Sequence, residues 1–281
     1  MELIFTKMQG AGNDFLLIDG FKYDINEIVP KIKNLCHRRF GVGGDGVMFA
    51  LPSESCDVKM YYYNSDGSQG EMCGNGIRCF AKFVYEKGIV KKDFLNIETL
   101  AGVQKATLEI NEKDEVEKVE IEIGNIKYAP CEIPVLVEGE NAFNKKLEID
   151  GKEINFSTIF LGVPHTVVFM EKEGEYDVNE IGSKMEVHPM FPRKTNVNFV
   201  VPLSENELKI FTWERGAGRT LACGTGSSTS ALLAHKLKGM SDKIKVITEG
   251  GILEIQVLED RVKLKGGAEV SFEGKLNLTK Y

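Results

Sequence analysis

No stretch of the 281 residues approaches the ~18–20 consecutive apolar side chains of a membrane span. The opening residues, MELIFTKMQGAGND, lack the positive start and long apolar core of a secretory signal, so a cytoplasmic protein is expected. Basic residues are outnumbered, 35 Lys+Arg against 42 Asp+Glu, and the pI is near 5.4. That balance argues against a non-specific grip on nucleic acid or an anionic membrane, since both need a basic surface. Six cysteines are too few for a disulfide scaffold in a chain this long, and none forms a C-x-x-C pair. Only four histidines occur, none as H-x-x-x-H, so no zinc site is expected. Neither G-x-x-x-x-G-K-[ST] nor G-x-S-x-G is present. GVGGDG (41–46) spells a dinucleotide fingerprint, but the charged HRRF precedes it and the strand-like VMFA follows. The strand-then-helix context that nucleotide binding requires is reversed.

Glycine, in contrast, is plentiful and clustered. The 29 glycines gather in GAGND (10–14), GVGGDG (41–46), CGNG (73–76), ERGAG (214–218) and CGTG (223–226). Such clusters mark close backbone approach or anion-cradling turns. Two of them reveal a repeat: Cys73-Gly-Asn-Gly and Cys223-Gly-Thr-Gly lie 150 positions apart (223 − 73). At the same separation Asn64 falls on Glu214 and Gln69 on Arg219. NDFLLID (13–19) is echoed by PHTVVFM (164–170), GDGVMF (44–49) by TNVNFV (195–200), and VEIEI (119–123) by VKLK (262–265). The ordered series at nearly constant spacing implies a pseudo-duplicated chain of two similar halves.

Runs such as LIFTKM, FLLID, VKMYYY and KVEIEI in the first half, and TVVFM, NFVV, LKIFTW and KVITE in the second, read as strands. One clear helix sits in each half. Ile77, Phe80, Ala81 and Val84 recur at helical spacing before Gly88, and Ala231, Leu232, Ala234 and Leu237 do so before Gly239. The expected class is α+β, with two pseudo-symmetric domains of similar fold. Each is a curved, mostly antiparallel sheet around a central buried helix, and the active site lies in the cleft between them. The boundary falls in the charged stretch 112–130, giving domains 1–122 and 123–265.

Cys73 and Cys223 each stand at the expected start of a buried helix. Unpaired N–H groups and the positive end of the helix dipole there favour a thiolate and would also hold a carboxylate. Two opposed thiols, each beside a carboxylate cradle, suit inversion of a carbon that bears a hydrogen. One removes the proton from one face and the other delivers a proton to the opposite face. Cys36, Cys56, Cys79 and Cys131 lack this context and read as ordinary small side chains. His165, beside TVVFM, reads equally well as structural or functional. A cysteine hydrolase would give the duplication nothing to explain.

The segments KMQGAGNDFLLID, YYYNSDGSQGEMCGNGIRCFAKF, GVPHTVVF, TNVNFV and WERGAGRTLACGTGSSTSALLA resemble the diaminopimelate epimerase family, and matching segments cover nearly the whole chain. Related racemases of proline or hydroxyproline share the paired cysteines but have a His where this chain has Asn75, and they lack ERGAGRT. The resemblance implies interconversion of L,L- and meso-2,6-diaminopimelate without pyridoxal phosphate or metal, on the route to lysine and bacterial cell wall. It implies that Cys73 and Cys223 are the acid/base thiols. Gly74, Asn75, Gly224 and Thr225 would hold the reacting carboxylate, and Asn13, Asn64, Asn196, Glu214 and Arg215 would bind the rest of the substrate. His165 and Glu214 match positions that tune the thiols. Gly46 stands where many members have Gln, and Val163 where many have Asn; neither is carried over as a contact. The expected partners are the small amino-acid substrate and a second copy of the chain in a homodimer. Three other readings stay open: a racemase of another amino acid such as proline or hydroxyproline, an amino-acid-binding protein, and a thiol-redox protein.

Overall fold

The computed structural model describes all 281 residues. Its first part runs β1 (Glu2–Gly10), β2 (Asn13–Asp19), the one-turn helix α1 (Ile32–Leu35), β3 (Gly46–Leu51), β4 (Val58–Asn64), β5 (Gln69–Gly70), α2 (Gly74–Glu86), β6 (Phe94–Thr99), β7 (Gly102–Ile110) and β8 (Val116–Ile123). There follow β9 (Ile126–Lys127), β10 (Ala142–Ile149), β11 (Lys152–Leu161), β12 (Val163–Phe169), α3 (Val178–Glu186), β13 (Asn196–Ser204), β14 (Glu207–Glu214) and β15 (Gly218–Thr220). The chain closes with α4 (Gly224–Lys238), β16 (Lys243–Thr248), β17 (Gly251–Val257), β18 (Val262–Gly266) and β19 (Glu269–Asn277).

The residues form two compact units, Met1–Ile121 with Gly266–Tyr281, and Glu122–Lys265. In the first, β1 pairs antiparallel with β2 and with β19, β2 runs parallel to β3, and β3 is antiparallel to β4. Strand β4 then pairs antiparallel with β5 and parallel with β6, which turns back into β7. The second unit repeats this order: β11–β12 antiparallel, β12–β13 parallel, β13–β14 antiparallel, β14 with β15 and β16, then β16–β17. The α+β class with one central helix per half is therefore the class read from the sequence.

Each parallel pair needs a crossover, because two parallel strands cannot be joined by a tight turn. α1 lies in the crossover between β2 and β3, and α3 in that between β12 and β13. The sequence reading placed one helix in each half and overlooked α3. Asp177 caps α3 by accepting from the backbone N–H groups of Asn179 and Glu180, and Val178, Ile181 and Met185 form its buried stripe.

The crossovers explain why central strands read as unbroken apolar runs. Phe15, Leu16, Leu17 and Ile18 of β2 are all buried. Leu16 and Ile18 join Ile28, Ile32 and Leu35 around α1, while Phe15 and Leu17 alternate to the other face, which α2 covers. Helix α2 packs on β1, β2, β3 and β7, and α4 on six strands of its own unit, so each sheet wraps its helix. Both helices are followed by a glycine at φ +67°, Gly88 and Gly239, the left-handed stop that a residue without a side chain adopts readily.

Candidate active site

In the first unit, Cys73 is the N-cap of α2, at φ −136° and ψ 119°, and its sulfur accepts from the Gly76 N–H at 3.4 Å. Gly74 opens the helix, and Asn75 is buried in its first turn. The Asn75 amide is held from both sides. Its Oδ1 accepts from the Arg78 guanidinium at 3.0 Å, and its Nδ2 donates to Asn13 Oδ1 at 2.6 Å. Asn13 Nδ2 in turn donates to Asp45 Oδ2 at 3.1 Å. Arg78 only donates and a carboxylate only accepts, so the two charged ends fix the polarity of the whole row.

Asp45 belongs to a second network behind that row. Arg38 reaches Asp14 through both terminal nitrogens, at 3.0 and 2.7 Å, and Asp45 at 2.8 Å. Lys7, 6% exposed, pairs with Asp14 at 2.9 Å and donates to the Gly43 carbonyl. Burial pushes the Asp14 carboxyl up, but the bonds and charges of Arg38 and Lys7 outweigh it and hold the group well below the usual carboxylate range. A depressed carboxylate contributes stability above its unfolded pKa of ~3.9, and that stability is lost as pH falls towards the folded value. Asp14→Asn should cost on the order of 2 kcal/mol at pH 7, because Lys7 loses a partner while the exposed Arg38 loses less. In urea titrations at pH 7 and pH 3, the gap between wild type and variant should narrow at the lower pH. An unchanged gap would rule out the pairing as its source.

Asn64 ends β4. Its Oδ1 accepts from the Tyr62 hydroxyl at 2.7 Å, and its Nδ2 donates to Ser68 Oγ at 3.0 Å. The Tyr62 ring also accounts for Gly46. A Cβ there would lie 2.4 Å from the Tyr63 carbonyl oxygen and 2.7 Å from the ring, and one at Gly70 would lie 2.5 Å from the same ring. Tyr62 thus occupies the space that a larger residue at 46 would need. Val163 opens β12 as an ordinary half-buried apolar residue.

The second unit builds a matching helix start. Cys223 caps α4 at φ −117° and ψ 115°; its sulfur accepts from the Gly226 N–H at 3.4 Å and lies 3.5 Å from Thr225 Oγ1. Gly224 is the first helical residue. His165 is fully buried, with Nε2 2.9 Å from Thr225 Oγ1 and Nδ1 3.3 Å from the Asn198 amide nitrogen. Burial first, and then the Arg215 charge, push His165 down to about 3, so it is neutral at pH 7.

Asn196 holds the turn that follows β14. Its Nδ2 donates to the Pro164 carbonyl at 2.9 Å, and its Oδ1 accepts the Arg215 N–H at 2.9 Å. The Arg215 side chain donates to the Arg193 carbonyl at 3.1 Å, and Glu214 accepts from Thr220 at 2.6 Å. Glu186, at the end of α3, braces the same turn by accepting from Trp213 Nε1 at 2.8 Å and from the Gly216 N–H at 3.1 Å.

Of the other cysteines, Cys36 and Cys79 are buried, which pushes them up to about 11 and about 12; neither is a thiolate near neutral pH. Sequence reading missed Lys7, Asp14, Arg38, Asp45, Arg78, Glu186 and Asn198. Two carried a signal: Arg78 interrupts an otherwise apolar helix, and Asn198 interrupts the apolar run NVNFVV. A polar group in such a position needs a partner.

The model of the family described as diaminopimelate epimerase matches residues 5–128 and 157–271. The chain belongs to the diaminopimelate epimerase family. The diaminopimelate epimerase of Alkaliphilus metalliredigens is 44% identical over 274 residues, covering 96% of this chain and 95% of that one. The diaminopimelate epimerase of Clostridium perfringens is 43% identical over 274 residues, covering 96% and 98%. Among solved structures, a hydroxyproline epimerase from Agrobacterium vitis with bound trans-4-hydroxy-L-proline superposes with a TM-score of 0.71 at 15% identity, covering 98% of this chain and 92% of that one. That likeness shows the fold alone. No helix is long and apolar enough to cross a membrane.

Proposed function

We propose that the protein interconverts L,L- and meso-2,6-diaminopimelate by proton transfer at the α-carbon, with Cys73 and Cys223 as the two acid/base groups and no organic cofactor or metal. What carries this reading is family membership together with the paired helix starts. In each, a cysteine caps the helix and its sulfur accepts a backbone N–H. The α-proton of an amino acid is weakly acidic, so the carbanion that forms must be stabilised as its charge develops. Helix-start N–H groups beside Gly74, Asn75, Gly224 and Thr225 would hold the carboxylate attached to that carbon, where the developing charge is delocalised. One thiolate removes the proton, and the other thiol returns one to the opposite face.

The Arg215 guanidinium suits the distal carboxylate, and Glu214 the distal ammonium. Asn13, Asn64 and Asn196 complete the substrate contacts. Each amide is already oriented by protein partners and keeps an N–H for substrate. His165 and Glu214 tune the thiols. The domains act as 1–122 with 266–281, and 123–265. The reaction belongs to lysine and cell-wall precursor synthesis in the cytoplasm, and the working form is a homodimer. Sedimentation at assay concentration would show a dimer; a monomer with full activity would refute that part.

Incubating the reduced protein with L,L-diaminopimelate in D2O, with nothing else added, tests the reaction. Chiral separation should show the meso product, and mass spectrometry should place deuterium at the inverted carbon. No inversion and no exchange from protein with intact thiols would move the substrate to another amino acid.

A further inference from the structure

In the second unit, four residues from three elements form one row: Asn198 of β13, His165 of β12, and Thr225 and Cys223 at the start of α4. The direction of each bond in the row follows from its far end. Asn198 lies 3.3 Å from the Thr166 carbonyl, which only accepts, so the atom facing it is the amide nitrogen. The amide oxygen faces the other way and accepts from Thr212 Oγ1 at 3.2 Å. The same nitrogen lies 3.3 Å from His165 Nδ1, which must therefore be the acceptor. A neutral imidazole with an unprotonated Nδ1 carries its hydrogen on Nε2. That hydrogen points to Thr225 Oγ1 at 2.9 Å, and Thr225 is left with its own hydrogen directed to the Cys223 sulfur at 3.5 Å.

We infer that Asn198 is a positioning residue that locks His165 in the Nε2–H tautomer, so that the Thr225 hydroxyl donates to the Cys223 thiolate. His165 then acts on the thiol as a neutral donor through Thr225, and takes no proton from it. Several observations support the lock. Asn198 and His165 are both fully buried, so water does not compete for these bonds. Asn198 packs directly on the start of α4, where its amide oxygen takes the space that a side chain at Gly226 would need, 2.3 Å from a Cβ built there. Burial also keeps the imidazole neutral. With the Gly226 N–H, the Thr225 hydroxyl gives the sulfur a second donor from the same helix turn.

This inference rests on Cys223 being an acid/base thiol, but its test does not depend on turnover. Long-range proton–nitrogen NMR of 15N-histidine-labelled protein reads the tautomer of His165 directly. Its signal is assigned by its loss in His165→Gln, or by elimination when His37, His188 and His235 are replaced in turn. A neutral ring with its proton on Nε2 at pH 7 is expected; a proton on Nδ1, or an imidazolium, would overturn the row. Asn198→Leu should release the ring into a mixture of tautomers, and a ring still locked on Nε2 would remove Asn198 from the assignment.

The rate of Cys223 alkylation by iodoacetamide, followed by peptide mass spectrometry, reads the last bond. Thr225→Val should slow it by about tenfold, the effect of losing one hydrogen bond to a charged acceptor. Thr225→Ser should stay within about twofold of wild type, because it keeps the hydroxyl. Equal rates for the valine and serine variants would refute donation from Thr225. If Asn198→Leu does not fold, the wild-type spectrum and the Thr225 pair still decide. Failure of the D2O exchange experiment with this row intact would instead count against the epimerase reading.

Discussion

Cys73→Ala and Cys223→Ala should each reduce epimerisation by at least ~10³-fold in both directions, since a positioned acid or base typically contributes ~10²–10⁴-fold. The symmetry of the loss is the informative part. On the proposed mechanism, whichever thiol is the base in one direction is the acid in the other, so removing either one would block both. On that mechanism the surviving thiol would still face one side of the α-carbon and could remove and return a proton there. In D2O each single variant should therefore exchange the α-proton of one stereoisomer faster than it inverts either. The two variants should favour opposite isomers. Neither replacement should unfold the protein, because each removes one capping acceptor, Gly76 N–H or Gly226 N–H, worth about 1 kcal/mol. Substantial two-way inversion by either variant, with melting unchanged, would reject the two-thiol mechanism.

Arg78→Leu should destabilise the protein by about 2–5 kcal/mol, the largest effect expected outside the cysteines. Arg78 has no exposed surface, and its three acceptors are neutral oxygens: the Gly74 carbonyl at 3.0 Å, Asn75 Oδ1 at 3.0 Å and the Gly267 carbonyl at 3.3 Å. Burial pushes the guanidinium's pKa down, so the three hydrogen bonds hold the cation against its own desolvation. Leucine fills part of the volume but takes this donor from Asn75 Oδ1 and from the half-buried Gly267 carbonyl, and a lost hydrogen bond to a charged group costs ~1.5–3 kcal/mol. Arg78→Lys should recover less than half, because one ammonium lacks the planar fork that reaches three oxygens. Asn75 would also lose one of the two bonds that hold its side chain at the helix start, so on its proposed binding role the Michaelis constant should rise by about tenfold for any folded variant. Urea unfolding and steady-state kinetics separate the two effects. A leucine variant within 1 kcal/mol of wild type would mean that the site has relaxed around the loss.

The partners of Arg78 are not legible in the sequence around it. Helices α2 and α4 were legible because their apolar spacing and closing glycines act within one or two turns. Helix α3 has a legible cap, Asp177 with Glu180 three residues on, but it is short and lies among charged residues, so its apolar stripe was overlooked. The cysteine pair stood out because the chain repeats itself. By contrast, nothing local to MQGAGND announces that Asn13 meets Asn75, 62 positions away, or that Arg78 reaches Gly267, 189 positions away. The residues around Gly46 do not show that the Tyr62 ring takes the space a side chain there would need.

The sequence by itself determined the family, the doubled order of strands and helices, and the two cysteines at helix starts. All of these are written in periodicity, caps and spacing, which act over a few residues and survive without knowledge of the fold. Only the tertiary structure decided which way each amide points, which nitrogen of His165 carries the proton, and which buried cation stands behind Asn75. Those choices depend on strand register and on crossovers that bring distant residues to one helix start. Once there, a buried polar group has few partners, and their donor or acceptor character leaves one arrangement that satisfies them all.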